Sequence, residues 1–162
     1  MGGKLLNLIY VRCLIPRNKL DSKLLSKQSQ HWEDNFQNKP EMFGIDPSIA
    51  AIKSAKIFKS HRINKVLEIG AGQGRDTLYF AKQGFKIDSL DYSKKAINDI
   101  SEKSRTNRLE NLITPKVHDM RLPLPYKNEC FEACYSHMLY CMAFSMNENL
   151  NLLQYVLQHQ EI

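Results

Sequence analysis

Residues Lys65 to Thr77, KVLEIGAGQGRDT, constrain the fold of this 162-residue chain more than any other stretch. Val66, Leu67 and Ile69 form a short apolar run broken only by Glu68. The run opens onto glycines at 70, 72 and 74 and then onto a segment with helical spacing. A strand that ends in spaced glycines and turns into a helix is a nucleotide-cradling device. Glycine has no Cβ, so the backbone can turn tightly and a ligand can approach it closely. The helix that follows offers unpaired N–H groups and positive potential at its N-terminus. Spacing decides which cofactor such a loop suits, and here it is E-x-G-x-G-x-G.

The dinucleotide fingerprint is G-x-G-x-x-G/A. Counting from Gly70 and Gly72, its third small residue falls at position 75, which is Arg75. A long cationic side chain there obstructs the close helix packing that the third glycine serves. Glu68, two residues before Gly70, has no role in that fingerprint either. A nicotinamide-dependent oxidoreductase is therefore the weaker reading of the loop, kept as an alternative.

The residues downstream extend the pattern. Arg75 to Gln83 places Leu78, Phe80 and Ala81 at helix-like spacing, and Gly84 is positioned to stop that helix. Phe85 to Leu90 alternates apolar and polar residues, the period of a strand, and ends at Asp91. A carboxylate at the end of a second strand can accept both ribose hydroxyls of a nucleoside. Asp91 lies 17 residues beyond Gly74, near the ~20 this device uses. The plainer alternative is an anion at the start of the next helix, beside Ser93. Leu112 to His118 reads as a third strand, placed at an edge by Pro115. Pro123 and Pro125 stiffen an extended connection to a fourth strand, Phe131 to Ser136.

Together Glu68, Gly70, Gly72 and Gly74 resemble motif I of the class I S-adenosylmethionine-dependent methyltransferases. The resemblance covers roughly residues 30–160. It implies an α/β fold, a Rossmann-like doubly wound sheet represented by its N-terminal half of about four strands behind a helical lead-in. It further implies cofactor contacts at Glu68, Gly70, Ala71, Gly72, Gly74, Arg75, Asp91, Tyr92, Asp119, Met120 and Ser136. Asp119 takes the place of the acidic residue that accepts from the adenine amino group, and the Met120 N–H that of the donor to a ring nitrogen. Asp119 could equally be an ordinary loop carboxylate. His137 falls where the family lines the acceptor pocket and is the one candidate base; it could as well fill the mouth of the sheet without chemistry. Tyr140 and Phe144 follow it, Phe144 as a core residue. Glu132 stands where the family often carries aspartate. The segment F-G-x-x-P-S at Phe43 to Ser48 resembles the small-molecule branch of the family.

The implied activity is methyl transfer from S-adenosyl-L-methionine to a small-molecule acceptor. A nucleoside-binding module of impaired catalysis is the alternative. Asn147 to Gln158 reads as the helix after the fourth strand. The family's remaining strands are then missing, and the edge of Phe131 to Ser136 is open to self-association.

The lead-in, Gln30 to Phe58, breaks near Lys39–Pro40 and Gly44. Asp46 is a sound N-cap before Pro47, and Ile49, Ile52 and Ile57 give the next helix an apolar face opposite Lys53 and Lys56. Trp32, Phe36 and Phe43 are candidates for a cover over the cofactor, or for plain packing. The domain is expected over residues 29–162, after a basic arm at 1–28. Residues 1–30 carry six basic side chains against Asp21, out of a net charge of +6, so the remainder is nearly neutral. That arm reads as a solvated tail, and nucleic acid is not an expected partner.

The chain is long enough for one domain that buries ~70% of its unfolded surface. No apolar run approaches the ~20 residues of a membrane span. Leu5 to Val11 resembles a weak signal core, but Arg12 interrupts it. Cys13, Cys130, Cys134 and Cys141 contain no C-x-x-C pair, and they fit neither a metal site nor a disulfide framework. Their spacing is also too wide for a radical S-adenosylmethionine cluster. A reduced, cytoplasmic setting is the expectation.

Overall fold

The computed structural model describes residues 22–127, 130–137 and 139. The expectations at Leu5 to Val11, Cys13, Tyr140, Cys141, Phe144 and Asn147 to Gln158 lie outside them. The elements run α1 (Ser22–Asn38), α2 (Ile49–Ser60), β1 (Lys65–Ile69), α3 (Arg75–Lys82), β2 (Lys86–Asp91), α4 (Lys94–Thr106), β3 (Ile113–Val117) and β4 (Ala133–Ser136). The four strands form one parallel sheet in the order β3-β2-β1-β4. The chain steps outward from β1 to β3 and then returns to the other side of β1. A cleft opens at such a reversal, beyond the carboxyl ends of the strands. The expected α/β class is therefore observed, with four parallel strands among the described residues.

Alternation along β1 divides the core. Leu67 and Ile69 face Leu90, Met120, Leu124 and Phe131 on one side of the sheet. Val66 faces the other side with Phe58, Phe80, Phe85 and Tyr135. Those four rings pack at centroid distances of 4.8–6.0 Å, largely edge to face. Pro115 pairs opposite Ser89 on β3, the edge strand predicted from its missing N–H. Gly84 takes φ +94° and ends α3 as expected.

Three local expectations are corrected. The lead-in helix begins at Ser22 rather than Gln30. The N-cap of α2 is Ser48, not Asp46: its Oγ accepts from the Ala51 N–H at 3.0 Å, which leaves Pro47 outside the helix. The buried face of α2 is Ala50, Ala51, Ser54, Ala55 and Phe58, while Ile49 is 70% exposed. Small side chains let the helix sit close against Phe80 and Tyr135, and that close approach outweighs the larger isoleucines.

Glu132, for which the sequence offered no consequence, holds the lower end of the sheet. Its Oε2 accepts from the Asn64 and Lys65 N–H groups at 2.6 and 2.8 Å, and its own N–H donates to the Lys65 carbonyl. No helix among the described residues is long and apolar enough to cross a membrane.

Candidate functional site

The glycine loop joins β1 to α3 by folding back on β2. The Gly70 and Ala71 N–H groups both donate to the Leu90 carbonyl, at 2.8 and 3.0 Å, and the Gly74 N–H donates to the Ala71 carbonyl. The Gly72 N–H donates to Asp91 Oδ2 at 2.8 Å. Four loop N–H groups are thus engaged within the protein. The three glycines all have positive φ.

Gly74 also carries the packing requirement. A Cβ there would stand 2.6 Å from Ile100 Cγ1 of α4. The tight contact that the dinucleotide fingerprint assigns to position 75 is met here one residue earlier, which frees position 75 for an arginine. Gly74→Ala should therefore destabilise the fold by about 2–3 kcal/mol, combining overpacking with left-handed strain. Gly84→Ala, with φ +94° but nothing within 4 Å, should lose only about 1–2 kcal/mol. Urea titrations of both variants check the ordering, and equal losses would mean that α4 does not press on the loop.

The loop borders an open cleft at the β1/β4 reversal. Of the predicted site residues, Glu68, Gly70, Ala71, Gly72, Arg75, Asp91, Tyr92 and His137 line it, and so do Trp32, Phe36 and Phe43. Gly74 stands behind the loop. Asp119, Met120 and Ser136 do not line the cleft. Asp119 is ion-paired to Arg121 at 2.5 Å, and that pairing holds its carboxyl below the usual range. Met120 is buried in the core, and Ser136 Oγ donates to the Ile69 carbonyl. Gln73, Asp76, Lys103 and Leu139 line the cleft without having been foreseen.

Three carboxyl groups face this space. Glu68 is buried on β1, and its Oε2 accepts from the Thr77 hydroxyl at 2.5 Å. Burial first, then the neighbouring Asp76 charge, push it up to about 8. Asp91 ends β2 with Oδ2 on Gly72 and Oδ1 on the Ser93 N–H at 2.9 Å. Burial raises it too, against the pull of those N–H groups. A carboxylate has about four lone-pair sites, so Asp91 keeps acceptor capacity beyond these contacts. The Ser93 contact shows that Asp91 anchors the start of α4, the plainer of its two readings. Asp76, in the first turn of α3, accepts from the Ser48 N–H at 2.8 Å, the Ser48 hydroxyl at 2.7 Å and the Tyr135 hydroxyl at 2.7 Å.

Cations and rings complete the walls. Arg75 donates to the Phe43 carbonyl at 2.9 Å and reaches Asp76 at 3.3 Å. A longer contact of 3.4 Å runs to His137 Nδ1, which lies 3.8 Å from Asp76. With Nδ1 facing an arginine donor, the neutral imidazole carries its proton on Nε2. Trp32 packs against Phe36 and Phe43 at centroid distances of 5.5 and 6.2 Å. The Phe36 ring would touch a Cβ at Gly72, at 3.6 Å. The segment between α1 and α2 is tied to the loop by Gln73, which accepts from the Met42 N–H and donates to the Lys39 carbonyl. From α1, Glu33 accepts from the Ser93 hydroxyl at 2.6 Å and so fixes that helix at the start of α4.

The sequence model of the family described as "Methyltransferase domain" matches residues 66–160, more than half of the chain. The chain belongs to that methyltransferase-domain family. It is 35% identical over 89 residues to the probable S-adenosyl-L-methionine-dependent methyltransferase TehB of Haemophilus influenzae, over 54% of this chain and 28% of that protein. The crystal structure of TehB from Haemophilus influenzae superposes with a TM-score of 0.63 at 24% identity, over 81% of this chain and 42% of that chain. The glycopeptide N-methyltransferase MtfA complexed with S-adenosyl-L-methionine superposes with a TM-score of 0.58 at 21% identity, over 73% of this chain and 47% of that one. The methyltransferase-domain chain therefore spans less than half the length of these relatives.

Proposed function

We propose that the cleft binds S-adenosyl-L-methionine and that this domain serves methyl transfer to a small-molecule acceptor. The observation that carries the reading is electrostatic. Glu68, Asp76 and Asp91 face one cleft whose loop N–H groups at 70, 71, 72 and 74 are already spent on protein acceptors. A diphosphate needs N–H donors and loses energy beside carboxylates. A cationic nucleoside gains from the same surroundings, so the nicotinamide alternative is disfavoured on charge as well as on family membership.

The residues present fit the cofactor. Asp91 holds lone pairs for ribose hydroxyls, the Gly70–Gly72 backbone leaves room beside them, and the rings at Trp32, Phe36 and Phe43 offer π faces to a cation. When bound, the sulfonium supplies an activated methyl group and a neutral thioether leaving group. The protein's part is alignment, which can contribute ~7–11 kcal/mol. His137 faces the cleft as the candidate base for the acceptor. Its Nδ1 can take a proton only when the contact from Arg75 loosens, because a ring nitrogen cannot accept two donors at once. Asp119 and Met120, outside the cleft, keep an adenine role only as part of this proposal.

Isothermal titration tests the reading. S-adenosylhomocysteine should bind at micromolar Kd, and NADH should neither bind nor raise the melting temperature. Binding of NADH in preference to S-adenosylhomocysteine would overturn it.

A further inference from the structure

We propose, on the reading that the cleft takes S-adenosylmethionine, that Glu68 makes cofactor binding proton-linked. In the free protein its carboxyl is the neutral acid. A ligand bearing an ammonium or sulfonium charge displaces the proton, the O–H bond breaks, and the proton passes to solvent as the carboxylate pairs with the cation.

The geometry behind this is the isolation of Glu68. It is 3% exposed, and among the described residues no cation lies within ion-pairing distance of it. Its partner is the Thr77 hydroxyl, which is neutral. The groups around it mostly carry the wrong sign. From α3 come Asp76, which disfavours the anion, and Arg75, whose opposing effect is the weakest of those acting on Glu68. From β2 comes Asp91. From β4 come Cys134, a buried thiol pushed up to about 12, and the Tyr135 hydroxyl, raised by burial and by Asp76. Lys103 of α4 and His137 after β4 line the same cleft, but Lys103 is directed to the Gln73 carbonyl and Glu41, and His137 to Arg75 and Asp76.

A buried carboxyl among like charges stays protonated at neutral pH, in agreement with its rise to about 8. It nevertheless lines the cleft, so an incoming cation can supply the counter-charge that the protein does not. The sign follows directly. Below about 8 the free protein holds the proton and the complex does not, so affinity rises with pH and levels off above that value.

Calorimetry in buffers of different ionisation enthalpy, between pH 6 and 9, tests this. S-adenosylhomocysteine, which keeps the α-ammonium, should release close to one proton at pH 7 and gain up to tenfold in affinity per pH unit below pH 8. Because the ligand amine titrates as well, Glu68→Gln is the reference. This near-isosteric variant can still accept from Thr77, and it should remove the part of the pH dependence due to the protein. 5′-Methylthioadenosine, without the amino-acid portion, should bind with no proton release. Identical pH profiles for wild type and Glu68→Gln would overturn the inference. So would heats for wild-type protein that are independent of the buffer, a result that decides even if the variant fails to fold. Failure of both nucleosides to bind at any pH would instead overturn the cofactor reading, and this inference with it.

Discussion

Asp91→Ala should weaken S-adenosylhomocysteine binding by about two orders of magnitude or more. A charge-assisted hydrogen bond contributes about 1.5–3 kcal/mol, and under the proposed function Asp91 accepts two from a ribose. The structure adds a second loss, because the same carboxylate holds the Gly72 N–H and the Ser93 N–H. Without it the glycine loop has no acceptor at its centre. Asp91→Asn, which retains one acceptor oxygen, should fall between the alanine variant and wild type. Asp88 is the internal control. It lies three residues earlier on β2, hence on the opposite face, where it approaches Tyr126. Asp88→Ala should change Kd by less than about twofold. Equal losses from Asp88→Ala and Asp91→Ala in titration calorimetry would place the ligand elsewhere.

Asp76→Ala should be the most damaging single truncation for stability, at about 3–5 kcal/mol. The carboxyl is buried with three strong donors, and its removal leaves the Ser48 N–H and the Tyr135 hydroxyl dry and without their acceptor. The Ser48 and Tyr135 hydroxyls lie 3.1 Å apart and recover part of that loss between themselves. For a domain of this size the effect corresponds to roughly 10 °C in melting temperature. Tyr135→Phe removes one donor and leaves the others, so it should lose only about 1 kcal/mol. Urea unfolding with an unchanged slope would measure both. A loss below about 1 kcal/mol for Asp76→Ala would mean that the carboxyl is hydrated rather than held.

What was legible in the sequence is what short-range chemistry determines. β1, the glycine loop, Asp91 and the stop at Gly84 all follow from alternation, or from positions where only glycine tolerates a positive φ. Asp76 was not legible, because its partners Ser48 and Tyr135 lie 28 and 59 residues away. Taken alone, an acidic residue in the first turn of a helix signifies no more than a favourable dipole contact. The expectation of Asp46 as N-cap failed for a related reason, since the cap is Ser48. Both are good capping residues, and a carboxylate on another helix selects the serine. Lys103 lies well along α4 at the border of that helix's buried stripe, three residues after Ile100, where a lysine at helical spacing carries no mark of a cleft. Asp119 is the converse case. Its place after β3 suggests a ligand, and its neighbour in the structure is the arginine two residues later.

Glu132 lies at the far end of β1 from the cleft, yet the chemistry of the cleft rests on it. Slide β1 by one position and every side chain changes sides. Glu68 would then enter the apolar layer of Met120, Leu124 and Phe131, and a leucine or isoleucine would face Thr77 and Asp76. The clasp of one carboxylate on two consecutive N–H groups, answered by its own N–H on Lys65, admits a single alignment. A half-buried glutamate outside the cleft thus decides whether the cleft is lined by an acid or by oil.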